Sequence, residues 1–367
     1  MVTPYCPPTL PLAIDLETKP VLKKLARAHR ALAELKGAAG VVPNEDILVN
    51  TLSLQEAKDS SAIENIVTTH DELFKSDALA NQFASLAAKE VHNYARALRD
   101  GFQTVRKTGL ITNNDILTIQ AALEENRAGF RKLPGTELRN DQTGTTVFIP
   151  PQSHDEILRA MGNLEMFIND ASISDLDPLV KMAVIHHQFE SIHPFYDGNG
   201  RTGRILNILY LVQQGLLTTP VLYLSRYINQ NKQDYYRLLQ KVRDAGAWQE
   251  WILFMLDGVE QTAGQTTLLV HAIRQLMQAH KQKMRNDLPR LYSQDLLNTI
   301  FGHPYSKIAF VERDLRVSRI TATRYLDELT RIGLMHKLKL GRESYYLNRA
   351  LVDLLGNVQT LWNGGAA

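Results

Sequence analysis

The sequence predicts a mainly α-helical protein with one small β-hairpin and a C-terminal winged-helix unit. Three observations carry that expectation. Apolar residues recur at spacings of three and four through most of the chain. One β-branched and aromatic run, Thr145 to Ile149, breaks that pattern beside Gly144. The last part reads helix, helix, turn, helix, hairpin, the order of a winged helix. A chain of 367 residues supports two or three units. They are drawn here as a helical N-terminal region at 1–90, a central core at 91–285, the winged helix at 286–350 and a tail at 351–367.

The first unit, from about Lys19 to Asp71, opens with a helical pattern from Lys19 to Lys36, breaks at Gly37 to Pro43, and resumes in a second helix led by Asn44. It is too short to stand alone. In the core, Leu138 to Pro151 reads as the hairpin. Asp177 and Pro178 are an N-cap and first-turn pair for a helix that runs through Met182 and Ile185 to Ser191, which leaves His193 just past its end. The next helix begins near Asn199 and carries Ile205, Leu206, Ile208, Leu209, Leu211 and Val212 before stopping at Gly215. Being apolar nearly all round, it is the expected buried axis. Further on, Asn231 suits a helix N-cap with Asp234 at the capping-box position. In the last unit, helices at Ser293 to Phe301, Lys307 to Leu315 and Ser318 to Ile332 precede strands at Leu334 to Leu340 and Ser344 to Leu347, around Gly341 and Arg342.

Composition bounds the function. With 44% hydrophobic and 22% charged residues the chain is globular, and a net charge of +2 argues against a surface built wholly for nucleic acid or anionic lipid. Met1 to Leu12 lacks a signal-peptide pattern and no run of eighteen apolar residues occurs, so neither secretion nor a membrane span is expected. The single Cys6 can make no internal disulfide and no thiolate metal site, which fits a reducing cytoplasm.

The densest chemistry runs from His193 through Pro194, Phe195, Tyr196, Asp197, Gly198, Asn199, Gly200, Arg201, Thr202 and Gly203 to Arg204, between two helices. Gly198 and Gly200 permit positive φ, so amides at the start of the second helix can form an anion nest where the helix dipole also favours negative charge. Arg201 and Arg204 can grip phosphate oxygens with planar donor forks. Asp197 is a hard oxygen ligand suited to Mg²⁺ shared with phosphates, and His193 can take a proton near neutral pH. Gly198, Gly200 and Gly203 also spell a dinucleotide-binding pattern. A helix rather than a strand precedes them, and no acidic residue occurs between Arg204 and Asp234 to hold a ribose. His186 and His187 point about 100° apart on one helix and cannot share a metal.

The loop resembles the Fic signature, H-P-F-x-D-G-N-G-R-x-x-R, at every specified position. That resemblance implies a Fic-type helical bundle with a hairpin flap, and a protein adenylyltransferase that moves AMP from ATP to a Ser, Thr or Tyr hydroxyl of a protein. His193 would be the general base and Asp197 would hold Mg²⁺. Asn199 and Gly200 would line the anion hole, with Arg201 and Arg204 on the β- and γ-phosphates. Leu138 to Ile149 looks like the family's flap, which takes the target segment by strand addition. Asn231, Tyr235 and Tyr236 fall where relatives place residues beside the base and ribose, although tyrosines at helix starts are usually packing residues.

Ser60-Ser61-Ala62-Ile63-Glu64-Asn65 is similar to the family's inhibitory motif, with Ser60, Glu64 and Asn65 at its specified positions. By that resemblance Glu64 pairs bidentately with Arg204 in the space meant for the γ-phosphate and autoinhibits the enzyme. In some relatives the same glutamate assists removal of AMP. The alternatives are a Doc-like kinase, disfavoured by Gly200, and a DNA-binding regulator with a vestigial core. Partners implied are ATP and a target protein with an extended hydroxyl-bearing segment, with a homodimer left open. The winged helix offers Arg319, Arg324, Arg331, Lys337, Lys339 and Arg342 to DNA, but acidic Asp327 and Glu328 on the same helix weaken that reading, and such modules often bind proteins instead.

Overall fold

The structure, a computed structural model, describes residues 4–69, 72–73, 85–139, 144–340 and 343–356. Helices run over Lys19–Gly40 (α1), Glu45–Ile63 (α2), Leu86–Thr108 (α3), Asn113–Glu124 (α4), His154–Asn169 (α5), Pro178–Ile192 (α6) and Asn199–Gln213 (α7). They continue over Leu224–Gln230 (α8), Lys232–Ala245 (α9), Trp248–Asp287 (α10), Gln294–Gly302 (α11), Ile308–Leu315 (α12), Arg319–Arg331 (α13) and Arg349–Gly356 (α14). Strands are Leu138–Arg139 (β1), Thr146–Phe148 (β2), Tyr305–Lys307 (β3), His336–Leu340 (β4) and Glu343–Leu347 (β5). The fold is mainly helical.

Two helices set the centre. The Asp177 side chain accepts from Leu179 N–H, Pro178 occupies the first turn, and every residue from Leu179 to Ile192 is buried. α7 packs beside α6 and is itself buried from Arg201 to Leu211, as its all-round apolar pattern anticipates. Each fully buried Leu or Ile on these helices contributes roughly 1.5–3 kcal/mol, so this pair is the rigid frame on which the loop between them sits. α3 and α4 flank α7, α2 crosses α3, and the long α10 carries α1 along its length. Lys24 fixes that last contact through ion pairs with Asp257 and, at 2.6 Å, with Glu260.

The hairpin forms as β1 pairing antiparallel with β2, with Leu138 opposite Phe148 and Arg139 opposite Thr146. Residues 140–143 of the expected hairpin lie outside the described residues. So do Asp71, Gly341 and Arg342, and residues 357–367 of the tail.

Three details depart from the sequence reading. α1 continues through Gly37 to Gly40, because burial of Ala38 and Ala39 outweighs the ~1 kcal/mol helical penalty of each glycine. Tyr305–Lys307 is a strand, not the start of a helix; it pairs with β5 in a three-stranded antiparallel sheet of order β3-β5-β4. Asn231 stands at the N-cap of α9 but does not cap it, since its side-chain amide donates back to Tyr227 O at 2.9 Å and Asp234 pairs with Arg237. The C-terminal unit folds back onto α2: α11 packs against it, and Gln55 Nε2 donates to Leu355 O at 3.1 Å. No helix among the described residues is long and apolar enough to cross a membrane.

Candidate active site

α6 ends at Ile192 with its capping residue, His193, in the left-handed region at φ 49° and ψ 60°, its N–H donating to Phe189 O at 2.9 Å. Pro194 prevents the helix from resuming. The chain then turns inward so that Phe195 is buried, its ring 5.3 Å from that of Phe130. Asn199 closes the loop on itself: its Oδ1 accepts from Phe195 N–H at 2.9 Å and its Nδ2 donates to Phe195 O at 2.8 Å. The Asn199 side chain is therefore a loop brace, and only its backbone amide remains for an anion.

Gly198, at φ 77°, caps α7, a conformation a Cβ would strain, and a Cβ there would also fall 2.5 Å from Glu124 Oε1. The first intrahelical bond of α7 is Thr202 N–H to Gly198 O, so the amides of Asn199, Gly200 and Arg201 have no helical acceptor. They form the positive end of a helix whose axis is otherwise buried. Thr202 is buried, and Gly203 faces α6, where an added Cβ would lie 2.8 Å from Glu190 Oε1. Gly203 thus lets α7 pack closely on α6, and the buried Thr202 hydroxyl has no hydrogen-bond partner among the described residues.

The two arginines diverge. Arg201, 5% exposed, is held by Glu90 at 2.9 Å and Glu124 at 2.8 Å. Its charge is already matched, so the expected phosphate grip has to compete with two carboxylates. Arg204, buried, donates through Nε to Ser60 Oγ at 2.7 Å and through Nη2 to Ser60 O at 3.1 Å and Glu64 Oε1 at 2.9 Å. The bridge to Glu64 is single rather than bidentate, because Ser60 takes the second edge of the guanidinium fork. Burial disfavours the Arg204 cation, but Glu64, Tyr235, Tyr94 and Glu190 around it raise its pKa overall.

Glu64 reaches this position through the end of α2. Asn65 N–H bonds Ala62 O, Ile66 N–H bonds Ser61 O, and Asn65 adopts φ 63°, the double closure of a Schellman turn. Only Gly or Asn takes that conformation readily, which gives the motif's last position its physical reason. Lys232 Nζ donates to Asn65 Oδ1 at 3.1 Å. The Glu64 side chain is 36% exposed. Burial raises its carboxyl, but Arg204, aided by Arg201 and Lys232, holds it below the usual carboxylate range. A Cβ on Gly200 would collide with Glu64 Oε1, so the carboxylate lies against the bare backbone at the N-terminal turn of α7.

Behind the loop, burial drives the His193 imidazole down to about 3, with Arg131 and Arg243 adding to the effect and Glu64 opposing it. His193 is thus neutral at physiological pH and half-buried, with its lone pair not taken up by a proton in the resting site. Asp197 is exposed; its Oδ1 accepts from Gly198 N–H at 2.7 Å, and Gln120 Nε2 donates to its carbonyl at 3.3 Å. Among the described residues no cluster of three or more His, Cys, Asp or Glu could hold a metal.

Tyr235 is 1% exposed and bonded to His186 at 2.8 Å, so none of its ring is open to a nucleotide. Tyr236, 43% exposed, packs edge-on to it at 5.1 Å. His186 and His187 take separate partners, as their angular separation requires: Asn207 and Tyr235 for the first, Leu239 O for the second. In the C-terminal unit Lys337 pairs with Asp327, Arg331 with Glu328 and, at 3.8 Å, Arg319 with Glu312, so three of the cations expected to face DNA have carboxylate partners within the chain. Sequence reading missed Glu90, Glu124 and Arg131. All three contact the loop from positions far away in the chain, in segments with no motif of their own.

Fold and site together define a helical protein built around a loop that opens with a helix-capping histidine and ends in three amides at the start of α7 without helical acceptors. By its sequence the chain belongs to the Fic/DOC family: the family's N-terminal description matches residues 22–103 and its core description residues 110–211, and residues 276–351 match the "Protein adenylyltransferase SoFic-like, C-terminal domain". Curated relatives include "Protein adenylyltransferase Fic" of Aedes aegypti, 28% identical over 58% of this chain and 41% of the relative. The protein of that name from Drosophila erecta is 33% identical over 35% of this chain and 25% of the relative. The matched stretch thus spans less than half the length of these relatives. Among solved structures, a Fic family protein from Desulfovibrio desulfuricans aligns over 92% of this chain and 97% of its own, with a TM-score of 0.56 at 20% identity. Fic-1 from C. elegans aligns over 68% of this chain and 73% of its own, with a TM-score of 0.51 at 18% identity. Both show the same fold.

Proposed function

We propose that this chain is a protein adenylyltransferase that transfers AMP from ATP to a Ser, Thr or Tyr hydroxyl of a protein, itself included, and that Glu64 restrains it. The observation that carries the reading is the Glu64 carboxylate seated between Arg204 and the Gly200 backbone, an anion occupying an anion site. With that carboxylate displaced, the free amides of Asn199, Gly200 and Arg201, together with Arg204, would take the phosphates of ATP. A target hydroxyl laid beside the loop by the hairpin would give its proton to the neutral His193 as its oxygen attacks the α-phosphorus, and pyrophosphate would leave. His193 then carries the proton, which it returns to solvent.

Asp197 fits Mg²⁺: a single exposed carboxylate with one oxygen engaged by Gly198 is a poor site alone and a suitable one when substrate phosphates complete the shell. When bound, the ion would neutralise charge between the α- and β-phosphates. The C-terminal unit is read as a winged helix, its helices α11 to α13 followed by the β4-β5 hairpin, and the single exposed Cys6 fits a cytoplasmic setting. Incubation with α-labelled ATP and Mg²⁺ tests the activity: label on the Glu64→Gly protein and none on Glu64→Gly/His193→Ala supports it, whereas label from γ-labelled ATP instead would make the protein a kinase.

A further inference from the structure

Arg131 lies in the segment between α4 and β1, and its side chain is fully buried without a carboxylate partner among the described residues. A buried cation is costly unless it is compensated. Here the compensation is a set of carbonyls at the negative end of α6. Arg131 Nε donates to His193 O at 2.7 Å, and its Nη2 donates to Ile192 O at 3.3 Å and to Pro151 O. Its own N–H donates to Pro194 O at 2.9 Å. His154 Nδ1 donates to the Arg131 carbonyl at 2.9 Å, which ties the start of α5 to the same point.

Two things are joined by this one side chain. The side chain holds the consecutive carbonyls of Ile192 and His193, with the Arg131 backbone N–H on the next, Pro194, and His193 is the residue with φ 49°, a left-handed conformation that few residues other than glycine adopt. Pro151 follows β2 closely, so the guanidinium also reaches the foot of the hairpin. We propose that Arg131 is a positioning residue that holds His193 in its left-handed conformation and fixes the foot of the hairpin relative to it. A hydroxyl presented by the hairpin is thereby brought to the imidazole in a constant geometry. The clamp is read from the contacts; its effect on rate rests on the proposed AMP transfer.

Arg131 touches no atom expected to meet ATP, so its loss should separate chemistry from nucleotide binding. The charged groups acting on His193 are Arg131, Arg243 and Glu64, beside a hydrogen bond with the Glu190 backbone. Removing the first should move the acid limb of the pH–rate profile upward.

The test uses the full chain carrying Glu64→Gly, with Arg131→Met and Arg131→Lys added in turn. Expected for Arg131→Met is a fall of about 100-fold in automodification rate at saturating ATP, with the dissociation constant for Mg-ATP within about threefold of the parent by calorimetry. Arg131→Lys, still able to donate to a carbonyl, should recover about tenfold of the loss. An unchanged rate, a parallel loss of ATP affinity, or a lysine variant no better than methionine would overturn the proposal. Histidine labelled with ¹⁵N gives a readout independent of activity: the His193 amide signal should shift or broaden in Arg131→Met and return in Arg131→Lys. If the Glu64→Gly parent transfers no AMP, the functional reading fails and these spectra alone decide the clamp, an unmoved His193 signal counting against it. If Arg131→Met does not fold, the lysine variant carries the same comparison against the parent.

Discussion

Glu64 Oε1 lies 2.9 Å from Nη2 of Arg204 and also presses against the backbone of Gly200. One carboxylate thus uses up both the cation and the open turn that a terminal phosphate would need. Removing it should expose the site without disturbing α2, whose end is closed by backbone bonds to Ser61 and Ala62. Glu64→Gly is expected to raise incorporation of α-labelled ATP at least tenfold, equivalent to about 1.4 kcal/mol. Equal incorporation by parent and variant would show that the contact does not restrain the protein.

Gly200 is expected to be intolerant of even one methyl group. An alanine Cβ would stand 2.8 Å from Arg204 Nη1 as well as colliding with Glu64, so removing Glu64 relieves only half of the conflict. In the Glu64→Gly background, Gly200→Ala should weaken Mg-ATP binding about tenfold or more, measured by calorimetry. Wild-type-like affinity would mean that the ligand does not approach this turn.

Arg201 is expected to matter first for stability. Its side chain is 5% exposed and paired with both Glu90 and Glu124. Arg201→Met would leave two carboxylates facing each other without a cation, a loss of about 3–5 kcal/mol by analogy with broken buried pairs. Thermal melting should show a drop of several degrees in the absence of nucleotide. A variant that melts like the parent yet fails to bind ATP would assign Arg201 to the ligand alone.

Glu190 should make stability depend on pH in a recognisable direction. Burial raises its carboxyl to about 7; Arg204 and Arg243 work against that and Glu64 adds to it. The folded state then holds this proton more tightly than the unfolded chain, so the associated stability is complete below the ordinary carboxylate pKa and is lost as pH rises through about 7. Glu190→Gln keeps the shape without the titration. Its stability relative to the parent should improve between pH 5 and pH 8 in denaturant melts, and a constant difference across that range would contradict the assignment.

The fold class was legible because periodicity and capping are local: Asp177 with Pro178, and the apolar run after Arg204, act within a few residues. The loop was legible because its chemistry is contiguous from His193 to Arg204. Side-chain partners were not. Asn199 braces Phe195, Arg201 spends its charge on Glu90 and Glu124, and Tyr235 turns into the core toward His186. Each of these depends on which distant helix lies opposite, and no spacing within the motif encodes that. Strand β3 escaped notice for a related reason: three residues carry too little pattern, and only pairing with β5 makes them a strand. Arg131 sits in a stretch with no periodicity, and its importance appears only once α6 ends above it.

The central claim is that the loop between α6 and α7 cradles the phosphates of ATP while His193 takes the proton of an attacking hydroxyl. It is tested most directly by incubating the Glu64→Gly protein with Mg²⁺ and ATP labelled at either the α- or the γ-phosphate. The expected result is label retained from the α-position alone, and none after His193→Ala. Label retained from the γ-position, or α-label undiminished by the histidine substitution, would contradict it.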